Sequence, residues 1–216
     1  MKIEKSTTPA IADAAPKQVA RIAKSEKLSA LRTDIWVFSP AMNERIKLSV
    51  LTPVGGSTPR STVYMLDGAG AEGEVSDWIT KGRAGRFFAD KNVNVVLPIG
   101  GESSFYTDWK EPDKGKNYKW ETFLMRELPP ILEGEWRSTD VRGIEGLSMG
   151  GSAAMMLAAR NPGFYKFAAS FSGILQLTST GMPQAIQFAQ RDGGGYNSMN
   201  MFGPPSDPAW KEHDPF

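Results

Sequence analysis

A Gly-x-Ser-x-Gly pattern occupies residues 146–150, between an apolar stretch at 141–145 and an Ala/Met-rich stretch at 152–160. The first stretch is typical of a strand and the second of a helix. This order is typical of a nucleophile elbow, in which Gly146 and Gly150 permit a tight turn and Ser148 projects its hydroxyl above the sheet edge. We therefore predict that Ser148 is a catalytic nucleophile. The alternative is a surface serine in an ordinary strand-to-helix turn.

The helix predicted after Ser148 begins at Met149 and directs its free backbone N–H groups at the same point. Such groups stabilise the negative charge that develops on an acyl oxygen. In this kind of elbow the residue after the nucleophile supplies one N–H, and an earlier strand-to-helix loop supplies the other. The pattern thus predicts acyl chemistry through Ser148, with Met149 as one oxyanion donor.

The composition excludes several other classes of protein. The 25 basic and 24 acidic residues give a net charge of +1, so no field gathers nucleic acid or an anionic membrane. The absence of cysteine and the single histidine exclude disulfides, thiolate metal sites and multi-histidine metal centres. No apolar stretch approaches the roughly 20 residues that span a bilayer, and no signal peptide is visible after Met1. We predict that no metal or organic cofactor is needed.

Short apolar stretches separated by helix-capable sequence indicate the fold class. They lie at residues 61–66, 93–98, 141–145 and 167–172. Buried strands that alternate with helices predict an α/β protein with a mostly parallel sheet and helices on both faces. Two further stretches, 34–39 and 45–51, predict an antiparallel pair ahead of it. In such sheets ligands bind beyond the carboxyl ends of the strands, where Ser148 is expected to lie.

The chain is long enough to bury one sizeable core, and we assign residues 31–216 to one domain. Residues 1–30 are rich in alanine, lysine and serine, and we predict a flexible N-terminal extension. After Gly173 the regular alternation fades, so we predict that residues 173–205 form an insert that shapes a substrate pocket above the sheet edge.

Taken together, several motifs resemble the antigen 85 family of mycolyltransferases over about residues 34–215. They are residues 64–68 (YMLDG), 100–109 (GGESSFYTDW), 118–123 (YKWETF), 146–151 (GLSMGG) and 206–210 (SDPAW). The resemblance implies an α/β-hydrolase fold, secretion to the cell envelope, and transfer of mycolyl chains between trehalose esters or from them to arabinogalactan. Trehalose mycolates and acceptor sugars are then the partners.

The resemblance also implies roles for individual residues. Ser148 matches the family nucleophile, and Ala69 falls where the family supplies the other oxyanion N–H. Four residues are expected to bind or enclose the substrate: Asp67, Gly70, Phe105 and Tyr106. Asp67 matches an aspartate that hydrogen-bonds a sugar hydroxyl, although an Asp-Gly pair is also common in turns. Gly70 is a departure, because the mycobacterial members carry an arginine there that contacts trehalose.

The catalytic partners of Ser148 are not evident in this sequence. The family places its acid and its histidine beyond residue 216, and His213 lies on a segment that the family does not use for catalysis. We expect His213 to be a surface residue. The chain is therefore expected to be an N-terminal fragment that lacks the last strands of the sheet, with the missing segment, as a separate chain, a candidate partner. The alternative is a complete protein that cannot operate the triad.

Two other functions stay open. A carboxylesterase of the same fold would use water as the acceptor instead of a sugar hydroxyl. A non-catalytic member of the fold would bind glycolipid or matrix. Four tryptophans can stack on sugar rings, although tryptophans more often pack in a core: Trp78, Trp109, Trp120 and Trp210.

Overall fold

The computed structural model describes residues 18–55, 58–70 and 73–216, so the first 17 residues of the predicted N-terminal extension lie outside the described part. Seven strands form one sheet: β1 (Arg21–Lys27), β2 (Arg32–Ser39), β3 (Glu44–Leu51), β4 (Arg60–Leu66), β5 (Val93–Ile99), β6 (Ser138–Leu147) and β7 (Phe167–Phe171). Their order across the sheet is β1-β2-β3-β5-β4-β6-β7. The predicted α/β-hydrolase fold is confirmed. The sheet is mixed, because β5, β4, β6 and β7 are parallel whereas β1, β2, β3 and β5 pair antiparallel.

The first strand corrects the predicted extension, which was drawn too long. Residues 21–27 pair antiparallel with β2, although only Ile22 among them is not exposed. An edge strand of this kind is held by backbone hydrogen bonds and by side chains that lie over its neighbour, so it needs no apolar alternation. The ammonium of Lys24 lies 4.1 Å from the ring centre of Trp36 on β2. The polar sequence of β1 therefore concealed a strand.

Helices cover both faces of the sheet, as predicted, but to different depths. The helices are α1 (Asp77–Thr80), α2 (Ala84–Phe87), α3 (Trp120–Thr122), α4 (Leu128–Trp136), α5 (Met149–Arg160), α6 (Met182–Gly194), α7 (Ser198–Phe202) and α8 (Ala209–Glu212), with a π-helical turn at Phe123–Glu127 between α3 and α4. The deep core contains Tyr64 and Leu66 of β4 together with α4 and α5. On the opposite face, Met65 packs against the one-turn helices α1 and α2.

Glycine and proline explain why the predicted helices are interrupted. The spacing of Trp78, Ile79, Phe87 and Phe88 predicts one helix between β4 and β5, but a Cβ on Gly82 would lie 2.8 Å from the carbonyl oxygen of Trp78, and Arg83 takes a left-handed φ of 55°. The chain therefore makes α1 and α2 instead of one helix. The helical segment between β5 and β6 contains Pro129 and Pro130, which cannot donate helical hydrogen bonds. The π-helical turn ends two residues before Pro129.

On the face that carries only the one-turn helices α1 and α2, apolar side chains of β6 and β7 are in contact with solvent. Phe167 and Phe171 of β7 are 48% and 49% exposed, and Leu147 of β6 is 40% exposed. The register pairs Leu147 with Phe171, so they lie side by side on this face. Strand β7 is one of the two edge strands of the sheet among the described residues, opposite β1.

Candidate active site

Ser148 lies at the point where β6 passes into α5. Its backbone has φ 54° and ψ −117°, a conformation that residues other than glycine rarely adopt. The Ser148 N–H donates to the carbonyl oxygen of Phe171 on β7 at 2.7 Å, which fixes the turn. The side chain is exposed, and of the side-chain contacts in the described part of the chain only the Ser148 carbonyl oxygen takes part in one, accepting from Ser152 Oγ at 3.4 Å. The strained backbone thus presents an exposed hydroxyl at the turn.

Two glycines allow this turn because the chain segments approach too closely for side chains. A Cβ on Gly146 would lie 2.1 Å from the carbonyl oxygen of Gly150, and a Cβ on Gly150 would lie 2.4 Å from that of Leu66 on β4. Real Cβ contacts are essentially never shorter than 3.0 Å. The spacing of the two glycines therefore follows from the packing of α5 against the ends of β4 and β6.

Two backbone N–H groups beside Ser148 have no acceptor among the described residues, those of Met149 and Ala69. Met149 is the first residue of α5, so its N–H has no partner within the helix. The loop after β4 passes close to the serine, since a Cβ on Gly68 would lie 3.7 Å from the Cβ of Ser148. Ser103 holds this loop by donating its N–H to the carbonyl oxygen of Ala69 at 3.3 Å. The arrangement can place two donors beside an oxygen bound at Ser148.

Ser148, Ala69, Met149 and Phe105 line one cavity of about 110 Å³. The other residues that line it are Ser103, Ser152, Ser172, Ile174, Ala189 and Gln190. Most of its surface is apolar, which suits a hydrocarbon chain more than a charged group. None of these six was predicted from the sequence as a site residue. Three of them, Ile174, Ala189 and Gln190, come from the segment 173–205.

Backbone strain is concentrated around this cavity. Five residues other than glycine have left-handed φ values between 49° and 58° here: Ser103, Phe105, Tyr106, Ser148 and Ser172. Each such residue costs on the order of 1–3 kcal/mol relative to an unstrained conformation. A fold retains this cost only where the surrounding contacts impose it, and such positions concentrate at functional sites.

Asp67 and Gly70 line a second cavity, of about 120 Å³, at the end of β4. Asp67 is 4% exposed, and its Oδ1 accepts a hydrogen bond from Ser76 Oγ at 3.0 Å. Burial raises the pKa of Asp67 to about 6, although the Ser76 hydrogen bond opposes the rise and the nearby Asp77 adds to it. A side chain on Gly70 would meet nothing within 4 Å among the described residues, so the position is open.

The structure separates Phe105 from Tyr106. Phe105 lines the Ser148 cavity, and its N–H donates to Met149 Sδ at 3.3 Å. Tyr106 is fully buried and is not among the residues that line either cavity, and its role in enclosing the substrate stays a prediction. Its hydroxyl accepts a hydrogen bond from the Asp67 N–H at 3.2 Å, and burial raises its pKa. Tyr106 thus supports Asp67 from behind.

His213 is buried, which corrects the expectation of a surface residue. It is 9% exposed, its ring centre lies 4.2 Å from that of Phe202, and Nδ1 lies 2.8 Å from the carbonyl oxygen of Ala209. Burial lowers the pKa of His213, so the neutral imidazole is favoured. Neither His213 nor any aspartate or glutamate is among the residues that line the Ser148 cavity. The described part of the chain thus brings a serine and two amides together without a base.

None of the helices among residues 18–55, 58–70 and 73–216 is long and apolar enough to cross a membrane.

Comparison with known proteins identifies the family of the chain. Residues 39–216 match the family described as "Putative esterase". The chain is 41% identical over 187 residues to the diacylglycerol acyltransferase/mycolyltransferase Ag85B of Mycobacterium leprae, covering 84% of this chain and 56% of that protein. It is 38% identical to Ag85C of Mycobacterium avium, covering 82% of this chain and 50% of that protein. The chain therefore spans about half the length of these relatives.

Solved structures are similar to this chain as well. MPT51 of Mycobacterium tuberculosis superposes with a TM-score of 0.76 at 34% identity, over 89% of this chain and 67% of that one. An S-formylglutathione hydrolase from Agrobacterium tumefaciens superposes with a TM-score of 0.69 at 20% identity, over 90% of this chain and 72% of that one. The second likeness concerns the fold alone.

Proposed function

The chain belongs to the esterase family and, within it, to the antigen 85 group, and we propose that the protein that carries it is a serine acyltransferase. It transfers mycolyl chains between trehalose esters, or from them to cell-wall arabinogalactan. The observation that carries this proposal is the exposed Ser148 hydroxyl at a strained turn, beside the N–H groups of Ala69 and Met149, which have no acceptor among the described residues.

In the first half of the reaction the enzyme takes the acyl group. Ser148 Oγ attacks the ester carbonyl carbon of a trehalose mycolate, and its proton passes to a general base. The carbonyl oxygen gains negative charge, which the N–H groups of Ala69 and Met149 stabilise. The bond to the sugar oxygen then breaks, and that oxygen takes the proton from the base. Trehalose monomycolate or trehalose leaves, and the acyl chain remains on Ser148.

In the second half an acceptor hydroxyl attacks the acyl-serine, with the same proton transfers in reverse. We assign the Asp67 and Gly70 cavity to the sugar. The Asp67 carboxylate, partly protonated near neutral pH because its pKa is about 6, can accept from or donate to a hydroxyl. Gly70 leaves open space where the mycobacterial members carry an arginine, so we expect a weaker or different sugar preference.

The proposal requires a base, and none lines the Ser148 cavity among the described residues. Loss of one triad member typically removes most of the rate, with about 10³–10⁴ over water remaining from the oxyanion site and binding. We therefore expect the 216-residue chain alone to acylate slowly. Exogenous imidazole is expected to accelerate it, because it can enter the exposed site and accept the serine proton.

A fluorophosphonate probe tests the nucleophile. The chain is incubated with the probe with and without imidazole, and the labelled residue is identified by mass spectrometry. We expect imidazole-enhanced labelling at Ser148, which Ser148→Ala abolishes. Ser172→Ala is the matched control, since Ser172 is exposed in the same cavity with a similar φ of 58°. Labelling that survives Ser148→Ala, or no labelling at all, would favour a non-catalytic binding protein.

A second assay separates transfer from hydrolysis. The chain is supplied with a short-acyl trehalose ester in the presence of imidazole, and products are separated with and without added trehalose. We expect trehalose to be acylated at the expense of free acid. Free acid as the sole product at every trehalose concentration would make the protein a carboxylesterase.

The resemblance also leads us to propose that the protein works at the cell envelope after secretion. Immunodetection in the culture filtrate and envelope fraction of the producing cells tests this. Detection confined to the cytosolic fraction would contradict it.

A further inference from the structure

A third cavity, of about 260 Å³, lies at the same edge of the sheet but shares no lining residue with the Ser148 cavity. It is formed where β3 begins and β5 ends. The residues that line it are Met42, Glu44, Arg45, Ile46, Ile99, Gly100, Gly101, Glu102, Lys116, Tyr118, Trp120 and Tyr196. Nothing in the proposed reaction uses this cavity.

Hydrogen-bonding groups on one side of the cavity are already ordered. Tyr196 donates its hydroxyl to Glu102 Oε1 at 2.5 Å, and the hydroxyls of Tyr118 and Tyr196 lie 3.1 Å apart. Both tyrosine rings are at least 95% buried, whereas Glu102 is only partly buried. Glu102 therefore keeps acceptor capacity for a group that enters the cavity.

One polar atom in the lining has no partner. Trp120 is 1% exposed, and its indole Nε1 makes no hydrogen bond within the described part of the chain. It lies beside Gly101, where a Cβ would come within 3.0 Å of Nε1 and 2.8 Å of the indole carbons. Nε1 is itself buried beside Gly101, so a ligand oxygen reaches it only if that backbone shifts, and an acceptor that did so would relieve a cost on the order of 1–3 kcal/mol.

The charges of the cavity balance. Lys116 and Glu44 form an ion pair at 2.6 Å, and Arg45 has no ion-pair partner among the described residues. Arg45 and Glu102 then offer one donor group and one acceptor group of opposite sign. This combination disfavours a strongly charged ligand. Hydroxyl groups, which both donate and accept, together with a C–H face that packs on aromatic rings, satisfy it best.

The three cavities follow the order of the strands. The Ser148 cavity lies at the end of β6, the Asp67 cavity at the end of β4, and the third cavity between the end of β5 and the start of β3. Ile99 lines both the second and the third, so these two adjoin. The Ser148 cavity shares no lining residue with either of them and lies at the end of the neighbouring strand, β6.

We propose that the third cavity binds a saccharide unit of the acceptor, away from the unit that is acylated. Glu102 and Arg45 hydrogen-bond its hydroxyls, and a sugar oxygen accepts from Trp120 Nε1. The inference rests on the proposed function only in taking the saccharide to be the acceptor.

Binding is measured on the Ser148→Ala chain, so the result does not depend on turnover. The probes are trehalose and the methyl glycosides of glucose and arabinose, with glycerol as an acyclic polyol. The readout is the indole N–H resonance of Trp120 in a ¹⁵N–¹H spectrum, assigned with Trp120→Phe. The indole of Trp210, which already donates to the carbonyl oxygen of Gly203 at 3.2 Å and lines none of the three cavities, is the internal control.

We expect at least one sugar to shift the Trp120 resonance saturably with a millimolar Kd, and glycerol not to do so. Glu102→Gln and Arg45→Ala should each raise that Kd about tenfold, a loss of roughly 1.4 kcal/mol. Glu111→Gln, a change on an exposed side chain outside the cavity, should leave it unchanged. Arg45 is exposed, so its variant remains informative if Glu102→Gln unfolds.

Two results would overturn the inference. One is the absence of saturable change at Trp120 with every sugar. The other is sugar binding that neither Glu102→Gln nor Arg45→Ala weakens, which would put the sugar elsewhere. Failure of Ser148 labelling, by contrast, would remove the acceptor role and leave the measured binding intact.

Discussion

Replacement of Gly146 by alanine tests the geometry of the elbow most directly. The added Cβ would lie 2.1 Å from the carbonyl oxygen of Gly150, and contacts below 3.0 Å essentially never occur. The start of α5 and the end of β6 must therefore separate by about 1 Å. The obstacle is backbone, so no side-chain rotation relieves it. Met149, whose N–H is one of the two proposed oxyanion donors, lies at the point that must move.

The expected effects follow from that displacement. A misplacement of about 1 Å at a reaction centre can cost roughly 10²-fold in rate, and overpacking of this kind costs about 1–3 kcal/mol of stability. We expect Gly146→Ala to lower the imidazole-enhanced rate of fluorophosphonate labelling at Ser148 about 100-fold. Urea denaturation should give a free energy of unfolding lower by about 1–3 kcal/mol.

Gly134→Ala is the matched control. Gly134 lies within α4, where an added Cβ would meet nothing within 4 Å, so alanine should raise the free energy of unfolding by about 0.5–1 kcal/mol. Its labelling rate should equal that of the parent chain. If Gly146→Ala labels at the parent rate and unfolds at the parent urea concentration, the close approach described for the elbow is wrong.

Three further predictions concern single residues. The pKa of Asp67 is raised from 3.8 to about 6, so the fold favours its protonated form, and the stability that this provides below pH 4 is lost as pH rises through 6. In urea titrations, the free energy of unfolding of Asp67→Asn minus that of the parent should therefore be larger at pH 8 than at pH 4, by about 3 kcal/mol. A difference that does not change with pH would contradict this. His213→Gln should leave the labelling rate of Ser148 unchanged and lower stability, because the imidazole packs on Phe202 outside the cavity; a tenfold slower rate would identify it as the base. Ser148→Gly should be more stable than Ser148→Ala by about 1–2 kcal/mol in urea unfolding, since only glycine adopts φ 54° and ψ −117° without strain; equal stabilities would exclude strain at this turn.

The elbow could be predicted from sequence because its geometry is local. The two glycines two residues from Ser148 are required by contacts within one turn, and the flanking strand and helix are encoded by nearby residues. The β2–β3 pair was equally accessible, since Ile46, Leu48 and Val50 alternate with polar residues along β3. Both features could be predicted because they depend on residues close together in the sequence.

Features that depend on distant partners could not be predicted. Gln190 reaches the Ser148 cavity because its Nε2 donates to the carbonyl oxygen of Ser103 at 2.6 Å, a contact across 87 residues. Nothing in the local pattern of α6 indicates it. The family resemblance predicts that Tyr106 lies near the site, but it does not predict the direction of the side chain. The Tyr106 hydroxyl accepts from the Asp67 N–H, so the ring lies behind Asp67. The burial of His213 likewise depends on Phe202, which no periodicity connects to it.

The left-handed residues around the Ser148 cavity set a limit on how this protein can be engineered. A library screened only for heat resistance would enrich glycine at Ser148 and at Ser172, since that exchange relaxes the main chain. Each such exchange would remove the backbone geometry on which reactivity depends. Selection for stability and selection for turnover would therefore favour different residues at these two positions. Designers who want a hardier catalyst should freeze these positions and seek improvement elsewhere, such as Gly134.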